Sequence, residues 1–291
     1  MIEPNLTANN TGFTERIPPH GFFLVSAVFH YLGPAFAVLL FAQVPVLGVA
    51  WLRIASAAIV FAVWRRPWRI FLGQSLEQRR TIIALGVVLG LMNASFYLAI
   101  SKLPLSTVGA IEFIAPITLA AIGARTPRNV GALVMAALGG WLLTSVRLEG
   151  QVLGYVFAFI NCGLFMLYIV LGHRISRGGG ASGIDRLGLA MLIALLVVSP
   201  IGFGDVINIF QHPILLLAGI GVGVCSSVIP YVCDQLAMAR LSRPTFALLL
   251  ALLPASATLI GILVLRQTPT PLDIAGIALV AVGIVVHREH G

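Results

Sequence analysis

Long apolar runs separated by short polar turns constrain this sequence more than any other feature. Hydrophobic residues make up 59% of the chain and charged residues only 10%, and runs of about 17 to 25 apolar residues are long enough to cross a bilayer as helices. We therefore expect an all-α polytopic membrane protein with ten transmembrane helices. The predicted spans are 22–41, 45–64, 81–101, 105–123, 129–146, 154–173, 184–203, 213–237, 244–264 and 271–286.

An internal repeat divides these spans into two sets of five. Ala99–Gly123 aligns without gaps with Ala237–Gly261, and the alignment pairs Pro116 with Pro254. Weak similarity between the halves of a membrane protein is typical of transporters, although similar composition of two apolar helices is an alternative explanation. Because five is an odd number, the second set would enter the bilayer from the opposite side. The sequence thus predicts two inverted five-helix repeats.

The basic residues predict the orientation of the chain. If the N-terminus is cytoplasmic, fourteen of the 18 Lys and Arg residues fall in inner segments, whereas Lys102, Arg147 and Arg266 fall in outer loops. Basic residues collect in cytoplasmic loops, so both termini are expected inside. The predicted organisation is a cytoplasmic tail at 1–21, a first repeat at 22–146, a linker at 147–153, a second repeat at 154–286 and a cytoplasmic tail at 287–291.

Several classes of protein do not fit this chain. The pI near 10.3 suggests nucleic-acid binding, but the basic residues are dispersed in loops and form no patch with aromatic residues, so no nucleic acid is expected. Cys162, Cys225 and Cys233 have no metal-type spacing, and no hydrolase motif lies in the spans. We expect no metal, no cofactor and no enzymatic activity; the lipid bilayer is the expected surrounding.

Two ionisable residues of opposite charge are embedded at similar depth in different spans. Arg53 lies in the second span and Glu112 in the fourth, each roughly 10 to 12 Å below the outer end at about 1.5 Å per residue. An embedded charge is costly and is by default a functional candidate. We predict an Arg53–Glu112 ion pair or a pair bridged by substrate, in which Glu112 holds an ammonium group and Arg53 a carboxylate. A static link between two helices is the alternative.

Two further embedded groups and a pair of prolines are candidates. Asp234 lies about one turn from the inner end of the eighth span, so a gate-side ion pair with Arg240 or Arg243 and a plain interfacial charge are both open. His30 is midway along the first span and could carry a proton or simply pack. Pro116 and Pro254 occupy equivalent repeat positions, and paired helix breaks point to a central site. Candidates to line that site are Asn93, Phe96, Tyr97, Phe113, Tyr168 and Tyr231.

Several stretches resemble a known family. They are Gly90–Leu98 (GLMNASFYL), Ala110–Pro116 (AIEFIAP), Ser227–Tyr231 (SVIPY) and the pair Pro254–Ala255. They are similar to the bacterial threonine/homoserine exporters among the EamA-domain proteins of the drug/metabolite transporter superfamily. The resemblance implies two EamA-like five-helix repeats in a bacterial inner-membrane carrier that exports amino acids or related metabolites.

The sequence also departs from that family at three places. Leu253 stands where a glutamate is common before the second-half proline, Arg266-Gln267 replaces a Gly-Glu pair, and Val38 replaces a lysine of the first span. Because charged residues that could carry a proton are missing at these places, facilitated export and exchange are alternatives to proton-coupled transport. The leading expectation is an alternating-access exporter, acting as a monomer or homodimer. The alternatives are a carrier of neutral or cationic metabolites or drugs, and a membrane partner protein that transports nothing.

Overall fold

Helices form all of the regular secondary structure in the described part of the chain. The computed structural model describes residues 17–103, 105–123, 126–143, 151–250, 252–253, 256 and 271–287. The helices are α1 (Pro19–Leu40), α2 (Val46–Arg65), α3 (Trp68–Phe71), α4 (Leu76–Ile100), α5 (Leu105–Glu112), α6 (Ile114–Gly123), α7 (Pro127–Leu143), α8 (Val152–Ser176), α9 (Gly180–Gly202), α10 (Pro213–Gly223), α11 (Ile229–Met238), α12 (Arg243–Leu249) and α13 (Pro271–Val286), with a 3-10 helix at Gly204–Gln211 and a π-helical segment at Val224–Val228.

Six of the helical stretches are long and apolar enough to cross a membrane. Five are α1, α2, α4, α8 and α9, and the sixth is the continuous stretch Pro213–Met238 that contains α10, the π-helical segment and α11. Shorter apolar helices lie at Thr107–Gly123 and Ile274–Val286. The all-helical class is therefore confirmed. The count of ten spans, their inverted arrangement and the repeat boundaries stay predictions, since much of the ninth span lies outside the described residues.

Local sequence signals explain where several helices begin and end. Ser75 caps α4 through a reciprocal capping box with Gln78, and Ser242 accepts a hydrogen bond from the backbone N–H of Thr245 at the start of α12. Such caps satisfy amide groups that have no partner within the helix. After α2, Arg66 adopts a left-handed conformation with φ 48° and ends the helix.

Small residues allow close packing between helices. A Cβ atom on Gly86 of α4 would lie 2.7 Å from the carbonyl oxygen of Ala190 on α9, and one on Gly90 would lie 2.9 Å from Val197. Lipid provides no hydrophobic drive between helices, so close van der Waals packing takes its place. In another contact of this kind, α7 packs on α13 with Gly139 against Val280. These glycines set the spacing of the bundle.

The surface of the bundle is apolar where it faces outward. Large hydrophobic side chains such as Leu39, Val63, Ile122 and Leu196 are more than two-thirds exposed. Exposure of so much apolar surface is unfavourable in water but expected against lipid tails. The bundle interior is formed by alanine, aliphatic and aromatic residues, among them Ala57, Phe61, Leu85, Ala190 and Phe246.

Candidate functional site

A buried cavity lies where helices α1, α2, α4, α5, α8 and α11 meet. Its volume is about 20 Å³, which is room for about one water molecule. Several polar and charged side chains line this cavity, although most of the surrounding bundle is apolar. The lining residues are His30, Pro34, Arg53, Met92, Asn93, Phe96, Glu112, Asn161, Phe165 and Tyr231.

Arg53 is held at the cavity by the second half of the chain. Its side chain is buried, its Nε donates to Ser227 Oγ at 2.8 Å, and its Nη2 donates to the carbonyl oxygen of Ser226 at 2.8 Å. The guanidinium carbon lies 5.7 Å from the ring centroid of Tyr97, a distance at which a cation is attracted to the ring face. A guanidinium has five N–H donors, so these two hydrogen bonds leave three for other acceptors.

One of the two acceptors for Arg53 is a backbone carbonyl that lacks the usual helical donor four residues later. Pro230 follows the π-helical segment and has no N–H, so it cannot donate to the carbonyl of Ser226, four residues earlier. The N–H of Ile229 donates to Val224 in the π-helical pattern instead. A π turn inside an α-helix is often found at a functional site. Here it presents an open carbonyl to the buried guanidinium.

Glu112 reaches the cavity from a break between two helices. It is the last residue of α5, and α6 begins at Ile114. Phe113 forms a turn between them, although its N–H still donates to Gly109 and its carbonyl still accepts from Ile117. Pro116, which lies inside α6, cannot donate to the carbonyl of Glu112. The carboxylate is buried and its Oε1 accepts a hydrogen bond of 3.0 Å from Asn161 Nδ2 on α8. The Oδ1 of Asn161 is buried without a hydrogen-bond donor among the described residues.

A direct ion pair between Arg53 and Glu112 is not formed, so that form of the prediction is wrong. Arg53 donates to the two serines and Glu112 accepts from Asn161, although both charged side chains line the same cavity. Hydrogen bonds to these neutral groups satisfy part of each charge. The alternative form of the prediction, in which substrate bridges the two residues, is compatible with this geometry. Within the described part of the chain the one ion pair is Arg65–Asp185, at 2.5 Å.

Asp234 takes part in a different buried cluster. Its Oδ1 accepts from Ser26 Oγ at 2.6 Å and its Oδ2 accepts from Tyr168 Oη at 2.7 Å. The suggested ion pair with Arg240 or Arg243 is absent among the described contacts, because the carboxylate of Asp234 is directed into the bundle toward α1 and α8. The cluster links three helices and lies beside the cavity, since the rings of Tyr168 and Tyr231 have centroids 5.3 Å apart.

The remaining predicted residues divide between the cavity and its surroundings. His30, Asn93, Phe96 and Tyr231 line the cavity, whereas Phe113 packs its ring against Gly140 of α7. Tyr97 and Tyr168 do not line the cavity. The ring of Tyr97 contacts Arg53, and the hydroxyl of Tyr168 donates to Asp234. Pro254 lies outside the described residues.

Three polar residues at the site were not among the predicted candidates. Asn161, Ser226 and Ser227 are all fully buried. A lone amide in the middle of an apolar run is a signal that could have identified Asn161, since a buried amide needs partners. The two serines gave no such signal, because small hydroxyl residues are common at helix contacts in membranes.

Together the apolar helices and the buried charged cavity define a polytopic membrane protein with an internal polar site. The model of the EamA-like transporter family matches residues 152–287. The threonine/homoserine exporter RhtA of Escherichia coli strain K12 is 32% identical over 266 residues, which cover 89% of this chain and 85% of the exporter. The exporter of the same name from Salmonella typhimurium strain SL1344 is 30% identical over 275 residues, 92% of each chain.

The chain belongs to the EamA-like transporter family. A solved crystal structure with 19% sequence identity superimposes with a TM-score of 0.63 and covers 91% of this chain and 96% of its own; at that identity the likeness concerns the fold alone. The protein is thus a transmembrane transporter of the metabolite-exporter class, and the expectation that it is not an enzyme is confirmed.

Proposed function

We propose that this protein exports amino acids or related small metabolites across the bacterial inner membrane by alternating access. In this proposal two inverted five-helix repeats move about the cavity, and both termini are cytoplasmic. The relatives named as threonine/homoserine exporters support the substrate class. The fourteen basic residues of the predicted inner segments support the orientation.

One observation carries the proposal: two buried side chains of opposite charge line one cavity without pairing to each other. Arg53 offers unused N–H donors and Glu112 offers a carboxylate. An amino-acid zwitterion has the complementary pair of charges, since its carboxylate suits the planar guanidinium and its ammonium group suits a carboxylate. When such a substrate enters the cavity, its contacts with Arg53 and Glu112 would replace the hydrogen bonds to water that its charged groups lose.

The size of the cavity indicates that binding requires movement. A volume of about 20 Å³ holds water but not an amino acid. The helix can bend at Phe113, between Glu112 and α6, because Pro116 already lacks the N–H that would donate to the Glu112 carbonyl. We therefore expect substrate binding to displace Glu112 or the neighbouring aromatic rings, as an alternating-access cycle would require.

A carrier for cationic metabolites is a second candidate. This candidate is favoured because Arg53 already makes two hydrogen bonds, whereas Glu112 accepts one and is the more available charge for a ligand. The rings of Phe96, Phe165 and Tyr231 in the cavity lining would then contact the cation. Competition between amino acids and organic cations separates the two candidates.

The test is counterflow of labelled substrates in liposomes that contain the purified protein. A panel of threonine, homoserine, other amino acids and organic cations is compared between the wild type and Glu112→Gln. The matched control is Asp205→Asn, which removes one negative charge from an exposed position in the 3-10 helix. Saturable amino-acid exchange that is lost in Glu112→Gln and kept in Asp205→Asn supports the proposal. Exchange of none of the amino acids by folded protein would reject it.

A further inference from the structure

A second cavity, far larger than the first, lies where several helices begin or end. Its volume is about 490 Å³, within the range of ligand pockets in proteins. It is lined by the start of α4, the end of α8, the start of α9 and the start of α12. Its most frequent side chain is arginine, contributed by Arg174, Arg177, Arg186 and Arg243. We call it the arginine pocket.

Three of the four arginines have no polar partner in the described structure. Arg186 donates to Gln74 Oε1 at 3.2 Å and to the carbonyl of Ile175 at 2.8 Å. Arg174, Arg177 and Arg243 make no hydrogen bond and no ion pair with any described residue; Arg174 and Arg177 are exposed, whereas the Nε atom of Arg243 is buried without an acceptor. A buried donor without an acceptor is unfavourable, so an anion in the pocket would supply the partner that Arg243 Nε lacks and would meet the free guanidinium groups of Arg174 and Arg177.

The acidic residues near the pocket do not correct this deficit. Glu77 is the one carboxylate in the lining, and it forms no ion pair within the described part of the chain. The preference for basic residues on the cytoplasmic side explains why arginines occur in these segments. It does not require residues from three separate helix ends to surround one cavity. That convergence is typical of a site for an anion.

An adjoining cavity indicates what kind of anion fits. It has a volume of about 540 Å³ and shares Arg177 and Arg243 with the arginine pocket. Its other lining residues are His173, Ser176, Met238, Ala239, Leu241 and Ser242. The combined space therefore has a lining rich in guanidinium groups that continues into one with apolar side chains as well, those of Met238, Ala239 and Leu241. A phospholipid has the matching two parts, a phosphate headgroup and acyl chains.

We propose that the arginine pocket binds a phosphate group, and that an anionic phospholipid supplies it. The guanidinium groups of Arg174, Arg177 and Arg243 donate to the phosphate oxygens, in keeping with the planar fork that arginine offers to phosphate. The first part of the acyl chains lies in the adjoining cavity beside Met238 and Leu241. Basic pockets between membrane helices on the cytoplasmic side are suited to anionic headgroups in general.

The experiment measures lipid binding by native mass spectrometry of the purified protein. Phosphatidylglycerol and phosphatidylcholine are added in parallel to the wild type and to the triple variant Arg174→Gln/Arg177→Gln/Arg243→Gln. The matched control is Arg66→Gln/Arg69→Gln/Arg80→Gln, which removes the same charge from exposed residues that do not line the pocket. The unfolding temperature without lipid shows whether each variant is folded.

We expect wild type and control to retain phosphatidylglycerol in preference to phosphatidylcholine, and the pocket variant to bind it about tenfold more weakly or worse, as loss of several arginine contacts near an anionic lipid predicts. Inorganic phosphate and glycerol 3-phosphate are the soluble competitors. If they bind the pocket as tightly as the lipid, a free phosphate compound is the ligand and the lipid assignment is wrong. Equal weakening in the control and pocket variants would overturn the site itself, since net charge would then explain the binding.

Discussion

Arg53 and Ser227 are joined by a hydrogen bond of 2.8 Å although 174 positions separate them in the sequence. The bond connects α2 in the first half of the chain with the π-helical segment in the second half. The cavity is therefore assembled from both halves, with Arg53 contributed by one and its anchor by the other. Each of the following predictions tests one contact of this assembly.

The anchor of Arg53 depends on the shape of the guanidinium. Arg53→Lys keeps the positive charge but cannot donate to Ser227 Oγ and to the Ser226 carbonyl in the same fixed geometry. We expect at least tenfold slower counterflow and a loss of about 1.5 to 3 kcal/mol of stability. Arg69→Lys, at an exposed site, is the control. Wild-type counterflow in Arg53→Lys would show that charge alone matters at this position.

Asn161 is expected to be as important for transport as Glu112. Asn161→Ala removes the 3.0 Å donor to Glu112 Oε1 and leaves that carboxylate oxygen buried without it. Counterflow should fall at least tenfold, because loss of a hydrogen bond to a charged group costs about 1.5 to 3 kcal/mol. Gly163→Ala is the control, since a Cβ there meets nothing within 4 Å. Similar activities of the two variants would argue against a role for the amide.

The Asp234 cluster should contribute to stability through its hydroxyl donors. Ser26→Ala removes the 2.6 Å hydrogen bond to Asp234 Oδ1 and should lower stability by about 1.5 to 3 kcal/mol, seen as a lower unfolding temperature in detergent. Ser95→Ala is the matched control. The Ser95 hydroxyl is also buried, but it donates only to carbonyls of its own helix, those of Leu91 and Met92. A larger effect in the control would contradict the assignment.

Two glycines of α10 should respond in opposite ways to alanine. A Cβ on Gly223 would overlap Ser56 Oγ and lie 2.7 Å from the carbonyl oxygen of Arg53, whereas a Cβ on Gly221 meets nothing within 4 Å. Gly223→Ala should cost about 1 to 3 kcal/mol through overpacking. Gly221→Ala should leave the unfolding temperature unchanged or raise it, because alanine favours a helix over glycine by about 0.8 to 1.0 kcal/mol. Equal unfolding temperatures would indicate that α10 moves away from α2 at little cost.

Much of the fold follows from the sequence because the apolar runs are long and their boundaries are polar. The predicted spans 22–41 and 45–64 correspond to α1 and α2 within three residues at each end. The embedded charges were also visible, since Arg53 and Glu112 stand out in apolar surroundings. What the sequence did not reveal is which neutral groups would satisfy those charges, because hydrogen-bond partners depend on how distant helices are rotated against each other.

Asp234 illustrates that difficulty. Along the chain its near neighbours of opposite charge are Arg240 and Arg243, but α11 directs its carboxylate toward Ser26 and Tyr168. Rotation of the helix by one residue is about 100° at 3.6 residues per turn, enough to exchange one set of neighbours for another. The π-helical segment before α11 alters that rotation, and apart from Pro230 nothing along the chain indicates such a segment.

The carbonyl that Pro230 releases gives the Arg53 anchor an unusual robustness. The acceptor belongs to the backbone of Ser226, so it survives any exchange of side chain at position 226. Replacement of Pro230 by a residue with an N–H is a different matter, because a helical hydrogen bond to the same carbonyl would then compete with the guanidinium. One apolar residue without charge or hydroxyl thus determines whether the buried arginine keeps its backbone partner.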